Sequence, residues 1–313
     1  MNIVRVALAV PLPRFFDYLY SPDLTPIVGG RVLVPFGSQK RVGIVVDLPA
    51  SSDVAKEKLK PIIDVLDAES LFNSTTWDWL AWSANYYRAA LGDVLFQALP
   101  VKLRNGESAV KNDRTFWRIT DLGKQALELG ALKRAKKQIE ALNLLLTQDL
   151  EKGNNEISSA IWSALKGKYY VEEVIVPAEQ KSWQQTLGDN PLVNLDNRLT
   201  LNKQQALAFS QLLFQEGFNV WLLEGVTGSG KTEIYLQYIE EVLKKGKQVL
   251  VLVPEIGLTP QTVRRFQARF NVEIDVLHSN LNDTQRLNVW ERARTGQSAI
   301  VIGTRSALFT QFS

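Results

Sequence analysis

The sequence predicts a multidomain α/β protein with a small β-rich front domain, a helical domain whose elements follow a winged-helix order, and a doubly wound P-loop lobe. Three observations carry that reading. Short alternating strands fill the first third; Gly225-Val-Thr-Gly-Ser-Gly-Lys-Thr232 fits the phosphate-loop pattern G-x-x-x-x-G-K-[ST] without a mismatch; and strand–helix units repeat after it.

The front domain is expected over 1–104. Val4-Arg5-Val6-Ala7-Leu8 alternates as a strand does, and Gly30–Pro35 and Arg41–Val46 read as a hairpin joined through Phe36–Lys40. Pro61–Leu66 could add another strand. From Thr75 the period turns helical, with Trp77, Leu80, Ala81, Ala84 and Tyr87 on one face and Trp79 and Trp82 near its edges. Three tryptophans in one helix point to packing more than to base stacking.

A second domain is expected over 105–176, after the loop composition Asn105-Gly106-Glu107-Ser108. Helical patterns at Ile119–Lys124, Lys136–Leu146 and Ser158–Leu165 precede a strand pair at Lys168–Val176, the order of a winged helix. Lys102–Lys137 holds ten Lys/Arg against four Asp/Glu, a candidate phosphate-facing patch. Residues 177–198 read as a linker, with Pro177, Gly188 and Pro191 among scattered charges.

The third domain is expected over 199–313. Asn202 caps a helix Lys203–Phe214, Val220–Leu223 reads as a buried strand, and Glu233–Leu243 reads as the helix behind the phosphate loop. Val249–Val253, Val272–Leu277 and Ala299–Gly303 supply further strands. In such sheets the chemistry belongs at the carboxyl ends of the strands.

The loop chemistry fixes its residue types. Glycines let backbone N–H groups turn inward around a phosphate, and the following helix adds its positive end. Lys231 reaches the β/γ-phosphates of a nucleotide and the Thr232 hydroxyl ligates Mg²⁺.

Composition bounds the rest. The 313 residues are 45% hydrophobic and 22% charged, a globular balance with a net charge of +3. There is no cysteine and one histidine, His278, so a disulfide frame, a thiolate zinc site and a histidine-rich metal site are excluded within this sequence. No apolar run reaches membrane-spanning length and the first residues lack a signal core, so a soluble cytoplasmic protein is expected.

The motifs together resemble a known family. Gly225–Glu233, Val253-Pro-Glu-Ile-Gly-Leu-Thr-Pro-Gln261, Leu277-His-Ser279 and Ile302-Gly-Thr-Arg-Ser-Ala-Leu-Phe309 are similar to motifs of the bacterial primosomal replication-restart helicases of superfamily 2. Val10–Arg14, Phe16-Asp17-Tyr18, Val34-Pro-Phe-Gly37 and Gly92–Phe96 resemble the same family's 3′-DNA-binding domain. The resemblance implies a RecA-like lobe in an ATP-driven 3′ to 5′ helicase that recognises stalled forks and restarts replication.

It also implies residue roles. Gln205 reads adenine, and the nucleotide set is Gln205, Gly225, Thr227, Gly228, Ser229, Gly230, Lys231, Thr232 and Glu233, with Lys231 and Thr232 catalytic and Thr232 on Mg²⁺. Phe16, Asp17 and Gly37, with Lys60 alongside, line a pocket for a 3′-terminal nucleotide. Asp17 there accepts from a free 3′-OH and repels a phosphate. Thr259 and Arg305 grip the strand's backbone, while His278 is assigned no role.

The implied partners are forked DNA, single-stranded DNA with a 3′ end, primosome proteins and single-stranded DNA-binding protein, for a nucleoid-associated cytoplasmic monomer. The sequence stops at Ser313, before the family's Asp-Glu motif II, second motor lobe and zinc-binding cysteines. The expectation is therefore an N-terminal portion that binds DNA with little or no ATP turnover. A non-enzymatic fork-binding module and another superfamily 2 translocase are the alternatives.

Overall fold

The computed structural model describes residues 2–108, 114–132, 135–152, 157–176, 181–213 and 217–313. The chain divides into two compact units, one made of 1–109 together with 180–313 and the other of 110–179.

In the first unit, β1 (Asn2–Leu8), β2 (Phe16–Tyr20), β3 (Arg31–Phe36), β4 (Gln39–Asp47) and β5 (Asp64–Val65) form a curled antiparallel sheet in the order β2-β1-β4-β3-β5. The alternation seen in the sequence puts Val4, Val6, Val32, Val34 and Val45 into one core. A register shift between Arg5 and Val6 bends β1. The β3–β4 turn is tighter than the pattern suggests, closing over Gly37-Ser38 with Gly37 at φ +61°. Only Asp64–Val65 of the stretch 61–66 pairs as a strand.

Helix α1 (Ser74–Tyr86) is capped by Asn73, whose side chain accepts from Thr76 N at 2.8 Å. α2 (Leu91–Gln97) and α3 (Val101–Arg104) follow. Trp77 packs edge-on against Phe72 and Trp79 lies tilted against Phe309, as packing tryptophans should, but Trp82 is 55% exposed and stacks on Tyr86. A fully buried Arg31 on β3 donates to both carboxylate oxygens of Asp67, and to the carbonyls of Leu103 and Glu107 beside α3. One guanidinium thus ties the sheet to the helix that ends this domain.

The lobe in the same unit contains α7 (Trp183–Leu187), α8 (Lys203–Leu213), α9 (Lys231–Lys244), α10 (Pro260–Arg269) and α11 (Asp283–Arg294). β9 (Val249–Leu252), β10 (Ile274–Leu277) and β11 (Ile300–Gly303) form a parallel sheet in the order β10-β11-β9. Ile300 and Ile302 face a core with Leu236, Ile239 and Phe266 from α9 and α10, while Val301 faces Val289 and Ala293 of α11. Both faces are covered, which explains the unbroken apolar strands.

Two expectations are corrected here. Val220–Leu223 is not a buried strand: none of the three sheet strands pairs with it, and Val220 and Leu222 are 83% and 91% exposed. An apolar run becomes a strand only where a neighbour takes its hydrogen bonds. The stretch read as a linker is largely anchored. Ser182 caps α7 with a capping box, Trp183 is buried under the lobe, and Val193 bridges to Phe270. Residues 177–180 of that stretch, and Phe214 of the helix read over 203–214, lie outside the described residues.

The other unit holds β6 (Arg114–Ile119), α4 (Asp121–Glu128), α5 (Lys136–Thr147), β7 (Leu150–Glu151), α6 (Ser159–Gly167) and β8 (Val171–Val176), with sheet order β7-β6-β8. Its core stacks Trp117 on Trp162 at 5.3 Å. Three helices match the pattern; β6 was hidden in it, and β8 pairs with β6 where a strand pair within 168–176 was expected.

The basic stretch 102–137 is broken up. Lys102, Arg118 and Lys124 pair with Glu107, Asp149 and Asp121, and Arg104 donates to backbone carbonyls. Lys111, Lys133 and Arg134 lie outside the described residues. Lys136 and Lys137 are exposed at the start of α5, so the described cations are divided between ion pairs, backbone contacts and a short exposed pair.

Candidate functional site

The phosphate loop lies between α8 and α9. Gly228 and Gly230 are both left-handed, at φ +83°, a conformation that demands glycine there. Gly230 caps α9 without a side-chain hydrogen bond, leaving the first N–H groups of the helix for an anion.

Lys231 opens α9 and turns its ammonium into the loop, donating to Val226 O at 3.1 Å and to Gly225 O. A phosphate entering the loop replaces these carbonyls with a stronger, charged acceptor. Thr232 follows, half-buried, with the hydroxyl oxygen a hard cation takes. Left-handed glycines, an uncapped helix start, an inward lysine and that hydroxyl fit a nucleotide phosphate with Mg²⁺. Thr227 and Ser229 lie on the exposed rim.

Gln205 meets this loop. It sits in a reciprocal cap with Asn202, and its Nε2 donates to Ser229 O at 2.8 Å. Glu233 does not meet it. Its carboxylate is buried on the far side of α9, accepting from Gln237 at 2.8 Å and Arg269 at 3.2 Å, which removes it from the expected nucleotide set. The helical period explains why: position 233 faces α10.

The carboxyl ends of β9, β10 and β11 form the second feature. A cavity of about 620 Å³ there is lined by Leu252, Pro254, Glu255, Thr304 and Arg305, and a neighbouring groove of about 540 Å³ by Thr259, Arg264, His278 and Thr304. Thr304 and Glu255 border both. The structure therefore brings Thr259 and Arg305 to one edge, with Arg264 and His278 added to them. Thr259 caps α10, accepting from Thr262 N at 3.2 Å. His278 Nδ1 accepts from Asn280 N, orienting the ring. Sequence alone shows Arg264 as one of three arginines, with Arg265 and Arg269, after Pro260; on α10 the 3.6-residue period separates it from buried Arg269.

Asp275, the one acidic residue on an apolar strand beyond the loop, accepts from Arg292 Nε at 2.9 Å and from Ser298 Oγ. It is occupied structurally and does not stand in for a metal-binding carboxylate.

In the front domain the expected 3′-end residues are split between two faces of β2. Phe16 meets Phe36 edge-on at 5.2 Å, Gly37 follows Phe36 in the turn, and Arg14 and Arg41 lie over the two rings at 5.1 and 5.4 Å. Lys60 runs alongside β2, its carbonyl accepting from Leu19 N at 2.9 Å. Asp17 points to the other face, where Arg5 and Ser52 hold its carboxylate. Arg5 compensates the charge that would repel a terminal phosphate.

Comparisons with known proteins match two stretches of the chain. Residues 5–100 match the 3′DNA-binding domain (3′BD) family model of PriA proteins, and residues 202–313 match the DEAD/DEAH box helicase model. The chain is 75% identical over 313 residues to replication restart protein PriA of Haemophilus influenzae, covering all of this chain and 43% of that relative. It is 33% identical over 318 residues to the PriA of Buchnera aphidicola from Acyrthosiphon pisum and 28% over 394 residues to that of Bacillus subtilis, covering 42% and 48% of those proteins. The chain spans less than half the length of these curated relatives.

Proposed function

We infer that this chain is the N-terminal portion of a replication restart helicase of the PriA kind, and that the whole protein is an ATP-dependent 3′ to 5′ DNA helicase acting at stalled or repaired forks. The observation that carries it is the lobe itself. The phosphate loop opens α9, which packs on a parallel sheet whose carboxyl ends carry a groove bearing Thr259 and Arg305, and the same unit contains the 3′DNA-binding domain.

In this reading Gly228, Gly230 and Lys231 hold the phosphates, Thr232 contacts Mg²⁺, and Gln205 joins the loop to the base. Bound Mg²⁺ and ATP supply the charge neutralisation and the scissile phosphate. Thr259 and Arg305 contact backbone phosphates, which tracks a strand without reading its sequence. Phe16 and the Gly37 turn stack the terminal base, with Lys60 toward its phosphate, while Asp17 acts through Arg5 and Ser52.

The lobe is read as the RecA-like doubly wound fold and 110–179 as a winged helix, whose three helices and three-stranded sheet support that assignment. Zinc is assigned to the whole protein and to no residue within 1–313. Primosome proteins and single-stranded DNA-binding protein are the proposed partners of a cytoplasmic, nucleoid-associated monomer. Among the described residues no helix is long and apolar enough to cross a membrane.

For residues 1–313 alone we propose fork and single-strand binding with little ATP turnover, because Val220–Leu223 is unpaired and Asp275, the acidic residue on a strand beyond the loop, is engaged by Arg292 and Ser298. Steady-state hydrolysis with single-stranded DNA tests this. Turnover that Lys231→Ala abolishes would sink the claim of inactivity. Binding to forks with a 3′-OH or a 3′-phosphate leading end tests the terminus pocket, and equal affinity would remove its end-sensing role.

A further inference from the structure

We propose that Arg269 is a positioning residue that couples the phosphate loop to the single-strand groove. The proposal rests on the functional reading above and adds a residue that touches neither ligand. Arg269 ends α10 and is 1% exposed, a full charge inside the lobe. Its Nη1 donates to Asn197 O at 2.8 Å, and its Nη2 donates to Glu233 at 3.2 Å and lies 3.7 Å from Glu240.

Each contact leads to a different part of the proposed machinery. Glu233 stands two positions after Lys231 on α9, so its carboxylate fixes the rotation of the helix that opens with Lys231 and Thr232. Asn197 and Arg198 precede the Asn202–Gln205 cap, whose glutamine holds Ser229 in the loop. Arg198 reaches Glu240 at 3.4 Å, and Gln237 binds both Leu199 O and Glu233. At the opposite end of α10 stands Thr259, in the groove. One guanidinium therefore touches the helix behind the loop, the segment leading to Gln205, and the helix that starts at the groove.

The chemistry favours a positional role over a stabilising one. Buried ion pairs lose hydration when they form, and apolar residues of equal size often hold a core as well or better. What apolar packing cannot supply is a fixed fork of donors aimed at partners on two other segments. A shift of the phosphate loop on binding nucleotide moves Glu233, and Arg269 passes that displacement along a rigid helix to Thr259.

The test is the ratio of nucleotide affinities with and without saturating oligo-dT, measured on the 313-residue protein with a fluorescent ATP analogue. The expected wild-type ratio departs from unity by at least about 5-fold. Arg269→Met combined with Glu233→Gln and Glu240→Gln keeps side-chain volume without charge, and should bring the ratio to within about 2-fold of unity. Should that variant not fold, Glu233→Ala removes the α9 contact nearest Lys231 and leaves Arg269 its Asn197 partner and the more distant Glu240. It should move the ratio toward unity, while Glu233→Gln, which keeps a carbonyl oxygen to accept from Arg269 and Gln237, should retain it.

A purely structural role would shift thermal stability and both affinities together and leave the ratio untouched, which overturns the proposal. A wild-type ratio of one with both ligands bound overturns it alone. Failure of the wild type to bind nucleotide or DNA overturns the functional reading, and the coupling with it.

Discussion

Arg5 holds Asp17 through both carboxylate oxygens, Nε to Oδ1 at 2.8 Å and Nη2 to Oδ2 at 3.0 Å, and Ser52 Oγ adds a third hydrogen bond at 2.6 Å. The Arg5 hydrogen bonds hold the Asp17 carboxyl below its ordinary range against the opposing effect of burial, with Ser52 assisting. A carboxyl whose folded pKa is depressed contributes stability above its unfolded value of about 3.9, lost as pH falls through the folded value. Thermal melts from pH 7 downward should therefore show a decline below about pH 4 that is shallower in Asp17→Asn. At pH 7 that variant should lose about 1.5–3 kcal/mol, the range for hydrogen bonds to charged groups.

Arg31→Met should cost more. The change leaves Asp67 without its bidentate partner in a nearly buried position, and frees the Leu103 and Glu107 carbonyls. Breaking one side of a buried pair costs about 3–5 kcal/mol, to be read from denaturant midpoints. Arg31→Lys keeps the charge but not the fork, and should fall between wild type and Arg31→Met.

Gly92→Ala tests the seat of α2 on β1. An added Cβ would stand 1.9 Å from Leu8 O and 2.7 Å from its carbonyl carbon, so backbone must move. A loss of about 1–3 kcal/mol is expected, with lower affinity for 3′-ended DNA; unchanged stability would mean α2 is not seated there.

Arg305→Ala should weaken binding of single-stranded DNA about equally for all sequences and reduce the slope of log affinity against log salt by about 1. Nucleotide affinity without DNA supplies the control. A sequence-dependent loss would mean that Arg305 reads bases.

Features set by a few adjacent residues were legible in the sequence. The loop 225–232 declares itself because left-handed glycines and a helix start are local demands, and the alternation of Val4, Val6 and Leu8 reports their core directly. What failed depended on distant partners. Glu233 is read with the phosphate loop by adjacency, yet its fate is set by Arg269, 36 positions later. Val220–Leu223 has a strand's composition but no neighbour. Residues 182–193 have a linker's composition, but Trp183 and Val193 find a core made by α9 and α10. Asp17 and Phe16 are adjacent in sequence, and the pleat sends them to opposite faces.

The bare approach to the phosphate loop also gives the protein a footprint of its own. Phe218, Val220, Leu222 and Val226 are all more than three-quarters exposed on a stretch outside any helix or strand, the kind of segment proteases cut. Trace chymotrypsin should cut first there. Because the cut precedes Gly228 and Lys231 by only a few positions, slower cleavage on adding a nucleotide would register phosphate in the loop without any label, turnover or DNA.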